Sequence, residues 1–251
     1  MSVLIGNYYA IAERIDALIL LESPTDEILK ALPNILKDDS RNIYFFSNLK
    51  QVGWLKSLSD NGYFDGKFNP EPIPKEDDPT LVSIPYWQVL NYLEHISLVN
   101  AQNPNAEVSE LLVSIIGNII SYRKSDGNRI ENFRTDYSVF KMICNLPDNL
   151  ISKSHLDFIE STFDSKWEGL IGYDFGELID RLILMENKEL LLHSISILLK
   201  HKIEEAKPFD KLDSVFREYD LGEIISERLS NFKLITILVS AFISTIFLFP
   251  F

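Results

Sequence analysis

Residues 107–122 read EVSELLVSIIGNIISY, and the spacing of their apolar side chains decides the fold class. Val108, Leu111, Leu112, Ile115, Ile116, Ile119 and Ile120 recur at three- and four-residue steps. That rhythm places one continuous stripe on an α-helix and fits no β-strand, whose side chains alternate with period two. Downstream, Ser125-Asp126-Gly127-Asn128 reads as a turn, and Phe133–Leu146 carries a partner helix closed by Pro147. The spacing then predicts a helix from Ser152 with Leu156, Phe158, Ile159 and Phe163, and another over Tyr173–Met185. Asn187 caps a further one, carrying Leu190, Leu191, Ile195, Leu198 and Leu199. After Pro208, Leu212–Tyr219 and Leu221–Leu229 form two shorter segments.

Working back toward the start, Asn7 can cap a helix to about Leu21 with Tyr8, Ile11, Ile15, Leu18 and Ile19 inward. Ser23-Pro24-Thr25-Asp26 offers a cap, a proline for the first helical position and an acidic first turn, with Pro33 bending or ending that helix near Leu36. Ile43–Phe46 is a short apolar run leading into a helix with Val52, Trp54, Leu55 and Leu58, stopped by Asp60-Asn61-Gly62. Ser83 is a cap candidate for a helix with Pro85 in its first turn and Trp87, Leu90, Leu93 and Ile96 inward. Between them, residues 61–82 form a long proline-rich loop with the acidic run Glu76-Asp77-Asp78. Strand signals are weak throughout. The expectation is an all-α fold: an irregular α-solenoid, or helical-repeat array of antiparallel helix pairs, with that one long loop and an apolar C-terminal helix. Pairing recurs at roughly 40 residues, near the spacing of HEAT repeats. Three regions are expected: residues 1–100 with the loop, 101–233 with HEAT-like pairs, and an apolar tail over 234–251.

The tail stands apart. After Lys233 no charged residue follows, and thirteen of the eighteen residues Leu234–Phe251 are apolar. A helix of that length would approach the ~30 Å hydrocarbon core of a bilayer. Lys233 and Arg228 precede it, which would leave the body in the cytoplasm under the positive-inside rule. Three readings stand open: a membrane anchor, an aberrant or truncated chain end, and a buried core helix. No basic region followed by an apolar run and a small-residue cleavage site is present near Met1, so no secretory signal is read.

Composition excludes several classes of function. A net charge of −13 opposes nucleic-acid binding, which needs a basic footprint. The single cysteine, Cys144, excludes an internal disulfide framework and a cysteine-rich zinc site, and its apolar neighbours read as core.

The stretch WLKSLSDNGYFDGKFNPEPIPKEDDPTLVSIPYWQVLNYLEHIS (54–97) resembles a recurring segment of large, poorly characterised bacterial α-helical-repeat proteins of HEAT-like type. In these a tryptophan-led helix ends in a Gly-aromatic-Phe turn, a Pro-Glu-Pro loop follows, and SIPYW opens another helix. The stretch LPDNLISKSHLDFIESTFDSKWEGLIGYDFGELIDRLILMENKELLLHSISIL (146–198) is similar to the next repeats of the same proteins. The resemblance covers about 100 of the 251 residues and concerns packing and turns. It implies an N-terminal or truncated portion of a longer chain. Some long members look like nucleoside-triphosphatase or defence-type multidomain proteins, and no such domain is visible in this sequence.

No residue set earns a catalytic, cofactor or metal assignment. Gly117–Ser125 lacks the second glycine of a phosphate-binding loop. His193 and His201, eight apart, are too distant along one helix to share a metal ion, and His95 and His155 stand singly. There is no Gly-x-Ser-x-Gly elbow for a nucleophilic serine. Asp60-Asn61-Gly62 and Ser125-Asp126-Gly127-Asn128 lack the alternating ligands of a calcium loop and read as turns, and Glu186-Asn187-Lys188 reads as a helix junction. Trp54, Tyr63, Phe64, Phe68, Tyr86 and Trp87 cluster around the proline loop, read as staples holding it to the helices before they are read as a recognition surface. The expected function is a non-enzymatic scaffold or protein-interaction module with a protein partner, no cofactor and no nucleic acid. A tail-anchored membrane protein with a cytoplasmic helical domain is the first alternative, and an enzyme with an unrecognised active site the second.

Overall fold

The computed structural model describes residues 12–78, 81–125, 132–163, 175, 177–179, 181–182 and 187–201. These are mostly helical, so the fold is all-α. The chain divides into two units, Met1–Trp167 and Glu168–Phe251. The tail over 234–251 and the segments Leu212–Tyr219 and Leu221–Leu229 lie outside the described residues, as do Asn7 and most of the turn after Ser125.

In the first unit, α1 (12–19) buries Ile15 and Leu18. Helix α2 (Asp26–Ile35) is capped by Thr25, whose hydroxyl accepts from the Ile28 N–H at 3.4 Å, with Asp26 and Glu27 favouring the positive end of the helix dipole. Pro24 therefore sits before the cap and not at the first helical position. Pro33 lies inside the helix, which continues for two residues beyond it.

The apolar run 43–46 belongs to a full helix, α3 (Asp39–Asn48). Asp38 caps it by accepting from the Arg41 N–H at 3.0 Å. Helix α4 (Trp54–Asp60) starts after Val52, which is 41% exposed and faces away from the core.

Ser83 caps nothing. It pairs with Ile73 in a two-residue antiparallel ladder, β1 (Ile73–Pro74) against β2 (Val82–Ser83). Helix α5 (Val89–Gln102) begins six residues later, without a side-chain cap. Pro85 disfavours a helical Ile84, which delays the start. Helix α6 (Ala106–Ser125) runs three residues past the expected end near Tyr122 and contains the deciding stripe, with Leu112, Ile115, Ile116, Ile119 and Ile120 buried. Helices α7 (Phe133–Cys144) and α8 (Lys153–Phe163) complete the described part of the unit, joined by a 3₁₀ turn Asp148–Leu150.

The core forms around α5, which packs against α3, α6 and α7. Trp54, Phe45, Phe46, Tyr92 and Phe140 are among its largest fully buried side chains. Phe45 meets Phe46 and Trp54 edge-on, at 5.1 and 5.3 Å between ring centres, the geometry that brings ring edges to ring faces. Trp54 also donates its indole N–H to the Leu21 carbonyl at 2.9 Å, tying α4 to the chain leaving α1.

In the second unit, residues 175, 177–179 and 181–182 are helical (α9), with Phe175, Leu178, Ile179 and Leu182 buried. Helix α10 (Lys188–His201) buries Leu190, Leu191, Ile195 and Ile197. Asn187 caps α10 as the sequence suggests, its Oδ1 accepting from the Leu190 N–H at 3.2 Å.

Candidate interaction site

Chemistry-bearing residues concentrate where the proline segment, 61–88, meets α5, α6 and α7. The segment begins with an enforced turn. Gly62 adopts φ +74°, and the Gly62 and Tyr63 N–H groups close back on the Ser59 and Leu58 carbonyls at 2.9 and 3.1 Å. This paired closure ends α4 and favours a residue without Cβ at its left-handed position.

A 3₁₀ turn, Gly66–Phe68, then presses against α6. The Gly66 N–H donates to Asn118 Oδ1 at 3.1 Å, and a Cβ at Gly66 would fall 2.6 Å from the Tyr122 Cβ. The approach of turn to helix thus depends on the missing side chain.

The rest of the loop is pinned at both ends by one buried side chain. Asn132 is only 3% exposed, and its Nδ2 donates to the Pro70 carbonyl at 2.9 Å and the Pro85 carbonyl at 3.0 Å. Its Oδ1 accepts from the Arg134 and Thr135 N–H groups at 3.1 and 3.4 Å, capping α7. Both amide protons and the carbonyl oxygen are therefore employed. Thr135 adds a bond from its hydroxyl to Asn69 Oδ1 at 2.6 Å. At the far end, Tyr86 donates to Asn91 Oδ1 at 2.7 Å, and Asn91 passes the chain on to Ser47 Oγ at 2.8 Å. Burial raises the Tyr86 phenol to about 12, with the nearby Glu94 carboxylate adding to the shift.

The aromatics separate by role. Phe64 and Trp87 are buried and Tyr63 and Tyr86 half-buried, so these four staple the segment to the helices as expected, while Trp54 is buried in the core on α4. Phe64 stacks on Tyr92 at 6.2 Å between ring centres. The Tyr63 hydroxyl is buried without a hydrogen-bond partner among the described residues, and burial raises its pKa. Phe68 departs from the pattern: it is 57% exposed, with Lys67 Nζ 4.9 Å from its ring centre.

Beyond the pins the loop turns outward. Ile73 and Val82 on the small β-ladder are 59% and 38% exposed, and Leu81 just before β2 is 51% exposed. Glu71, Lys75, Glu76 and Asp77 are exposed beside them. A rigid base thus carries an apolar tip with an acidic rim.

Three of the residues weighed for chemistry, His155, His95 and Cys144, lie on α8, α5 and α7. His155, 3% exposed, accepts the Ser152 N–H on its Nδ1 at 3.2 Å, at the start of α8. Ser152 Oγ lies 3.2 Å from the same nitrogen. Because Nδ1 already receives a backbone proton, the ring is neutral with its proton on Nε2, and the pair reads as a helix cap. Burial lowers the pKa of His155. His95 is half-buried on α5, its pKa lowered by burial and then by Lys50. Cys144 ends α7, half-buried and in no disulfide.

Between α5 and α7, Ser138 donates to Glu94 and Asn145 Nδ2 donates to Ser97 Oγ at 3.0 Å, polar pairs that set how the two helices register. Asn132, Gly66 and the exposed Ile73, Leu81 and Val82 are the residues that sequence reading missed. Only an asparagine directly before an amphipathic run hinted at Asn132, and then only at its capping half.

Among the described residues, no helix is long and apolar enough to cross a membrane. The chain matches no protein-family model, no curated protein and no solved structure.

Proposed function

We propose that this chain is a non-enzymatic helical-repeat module that docks other proteins, built as an irregular solenoid of HEAT-like helix pairs. The observation that carries the reading is the proline loop, whose base is held by Asn132 while its tip exposes Ile73, Leu81 and Val82. Large apolar side chains in water cost free energy unless a partner covers them, and a pinned loop loses little entropy on binding. The succession of α5, α6, α7 and α8, each packed on the next, supports the repeat reading.

The test is a photo-crosslinking residue placed at Leu81 in cells that make the protein. A discrete protein adduct is expected there and none from a probe at Glu107, which is exposed on α6. Equal labelling at both positions, or none at either, would overturn the docking role. Turnover by the purified chain in a broad hydrolase and nucleotidase screen would overturn the non-enzymatic reading.

A further inference from the structure

We infer that the tip of the proline loop selects a basic protein segment bearing large apolar side chains. The inference rests on the docking role proposed above and adds the chemistry of the partner. Between Asn69 and Ser83 the chain carries Glu71, Glu76, Asp77 and Asp78 against a single lysine, Lys75. Glu76 and Asp77 stand exposed at the turn, and the exposed Leu81 and Val82 follow on the same ribbon.

A surface of this kind offers apolar contact at its centre and a negative field around it. It attracts lysines and arginines and repels acidic surfaces. The same sign disfavours phosphate-rich partners such as nucleic acids and anionic bilayers. It also disfavours a second copy of this chain, whose own net charge is −13.

Strand addition contributes little, because each strand of the ladder has two residues and Pro74 has no N–H to offer. Recognition is therefore led by side chains. Apolar anchors of the partner sit on Ile73 and Leu81, which the register places on one face of the ribbon, with Val82 on the other, and its cations face Glu76 and Asp77. The pins on Pro70 and Pro85 hold this arrangement before the partner arrives.

The experiment titrates the full chain with fluorescein-labelled synthetic peptides of about 15 residues, a length that covers such a tip. All share the same leucines and tyrosines and differ only in carrying lysine, glutamine or glutamate between them. The lysine peptide should bind tightest, and its affinity should fall as salt is raised. The double variant Ile73→Ser/Leu81→Ser should weaken it about tenfold or more. Glu76→Lys/Asp77→Lys should weaken it about tenfold and flatten the salt dependence. Glu107→Lys/Glu110→Lys, which reverses two exposed charges on α6, should change it less than about twofold. Thermal melts followed by circular dichroism check that each variant is folded.

If the glutamine or glutamate peptide binds as well through positions 73 and 81, the docking surface stands and the basic partner is wrong. Concentration-dependent dimerisation abolished by Ile73→Asp would likewise overturn the basic partner, in favour of a second copy. If no peptide senses either loop variant, the inference falls. If the crosslink at Leu81 is also absent, the docking role falls with it.

Discussion

The helical core around α5 and the proline loop beside it are ordered by different means. In the core, Trp54, Phe45, Phe46, Tyr92, Leu90 and Leu93 are almost completely buried, and order follows from the area they remove from water. The loop buries fewer large side chains of its own, chiefly Phe64 and Trp87 toward its two ends. It is held by a few directed contacts: the closure at Gly62, the close approach at Gly66, and the bonds from Asn132 and Thr135. Area tolerates substitution in proportion to what is lost, whereas a pin is made or broken. One molecule thus contains a surface whose stability is spread over many residues and another whose geometry hangs on very few.

The contrast predicts effects of different size and kind. Trp54→Ala should be the most damaging, costing about 3–5 kcal/mol by lost burial and cavity formation. Urea denaturation should show a lower midpoint for the entire first unit, and a loss confined to the loop would contradict the assigned role.

Asn132→Ala should cost about 2–3 kcal/mol, since it removes a cap and leaves two carbonyls without their donor. Asn132→Asp sharpens the test. Its carboxylate still caps α7 but cannot donate to Pro70 and Pro85, so amide exchange and proteolysis should accelerate in residues 71–83 while α7 stays protected. Equal loosening of both would mean that loop and helix are one cooperative unit.

Gly66→Ala should cost about 1–3 kcal/mol, the usual range for overpacking, because its Cβ would meet the backbone-proximal Cβ of Tyr122 and the backbone of α6. The loss should be relieved by Tyr122→Gly, which removes the clashing Cβ, and not by Tyr122→Ala, which keeps it, a coupling measurable in a double-mutant cycle.

His155 is a pin of the same kind outside the loop, and it responds to pH. Its folded-state pKa lies below the ordinary histidine value, so the neutral ring belongs to the native state. Its contribution is complete above the unfolded value near 6.5 and is lost as pH falls below that, through the depressed folded value. The loss should be about 1 kcal/mol, one helix-capping bond. His155→Gln should flatten the stability profile in that acidic window, and an unchanged profile would exclude the histidine as its source.

The smallest effect should have the opposite sign. Tyr63→Phe removes a buried hydroxyl with no partner among the described residues, so stability should stay level or rise by up to about 1 kcal/mol.

Much of the helical part was legible because burial imposes a period. The stripe of α6, the inward residues of α5, the cap at Asn187 and the stop at Gly62 all follow from local rules. The reading faltered where two local signals competed. Ser83 looks like a cap, yet the pairing of Ile73 with Ser83 claims it for the ladder. Asp38 is a cap that stood unused beside an apolar run too short to declare a helix.

The amino-acid sequence alone determined the all-α class, the acidic surface and the place of the proline loop, since periodicity, charge and turn chemistry are properties of neighbouring residues. Only the tertiary structure decided that Asn132 would hold Pro70 and Pro85, that Gly66 would lie against Tyr122, and that Ile73, Leu81 and Val82 would be left in water. The two bonds from Asn132 join residues separated by 62 and 47 positions. At that distance no local pattern records which backbone groups will meet, because the meeting depends on how whole helices pack.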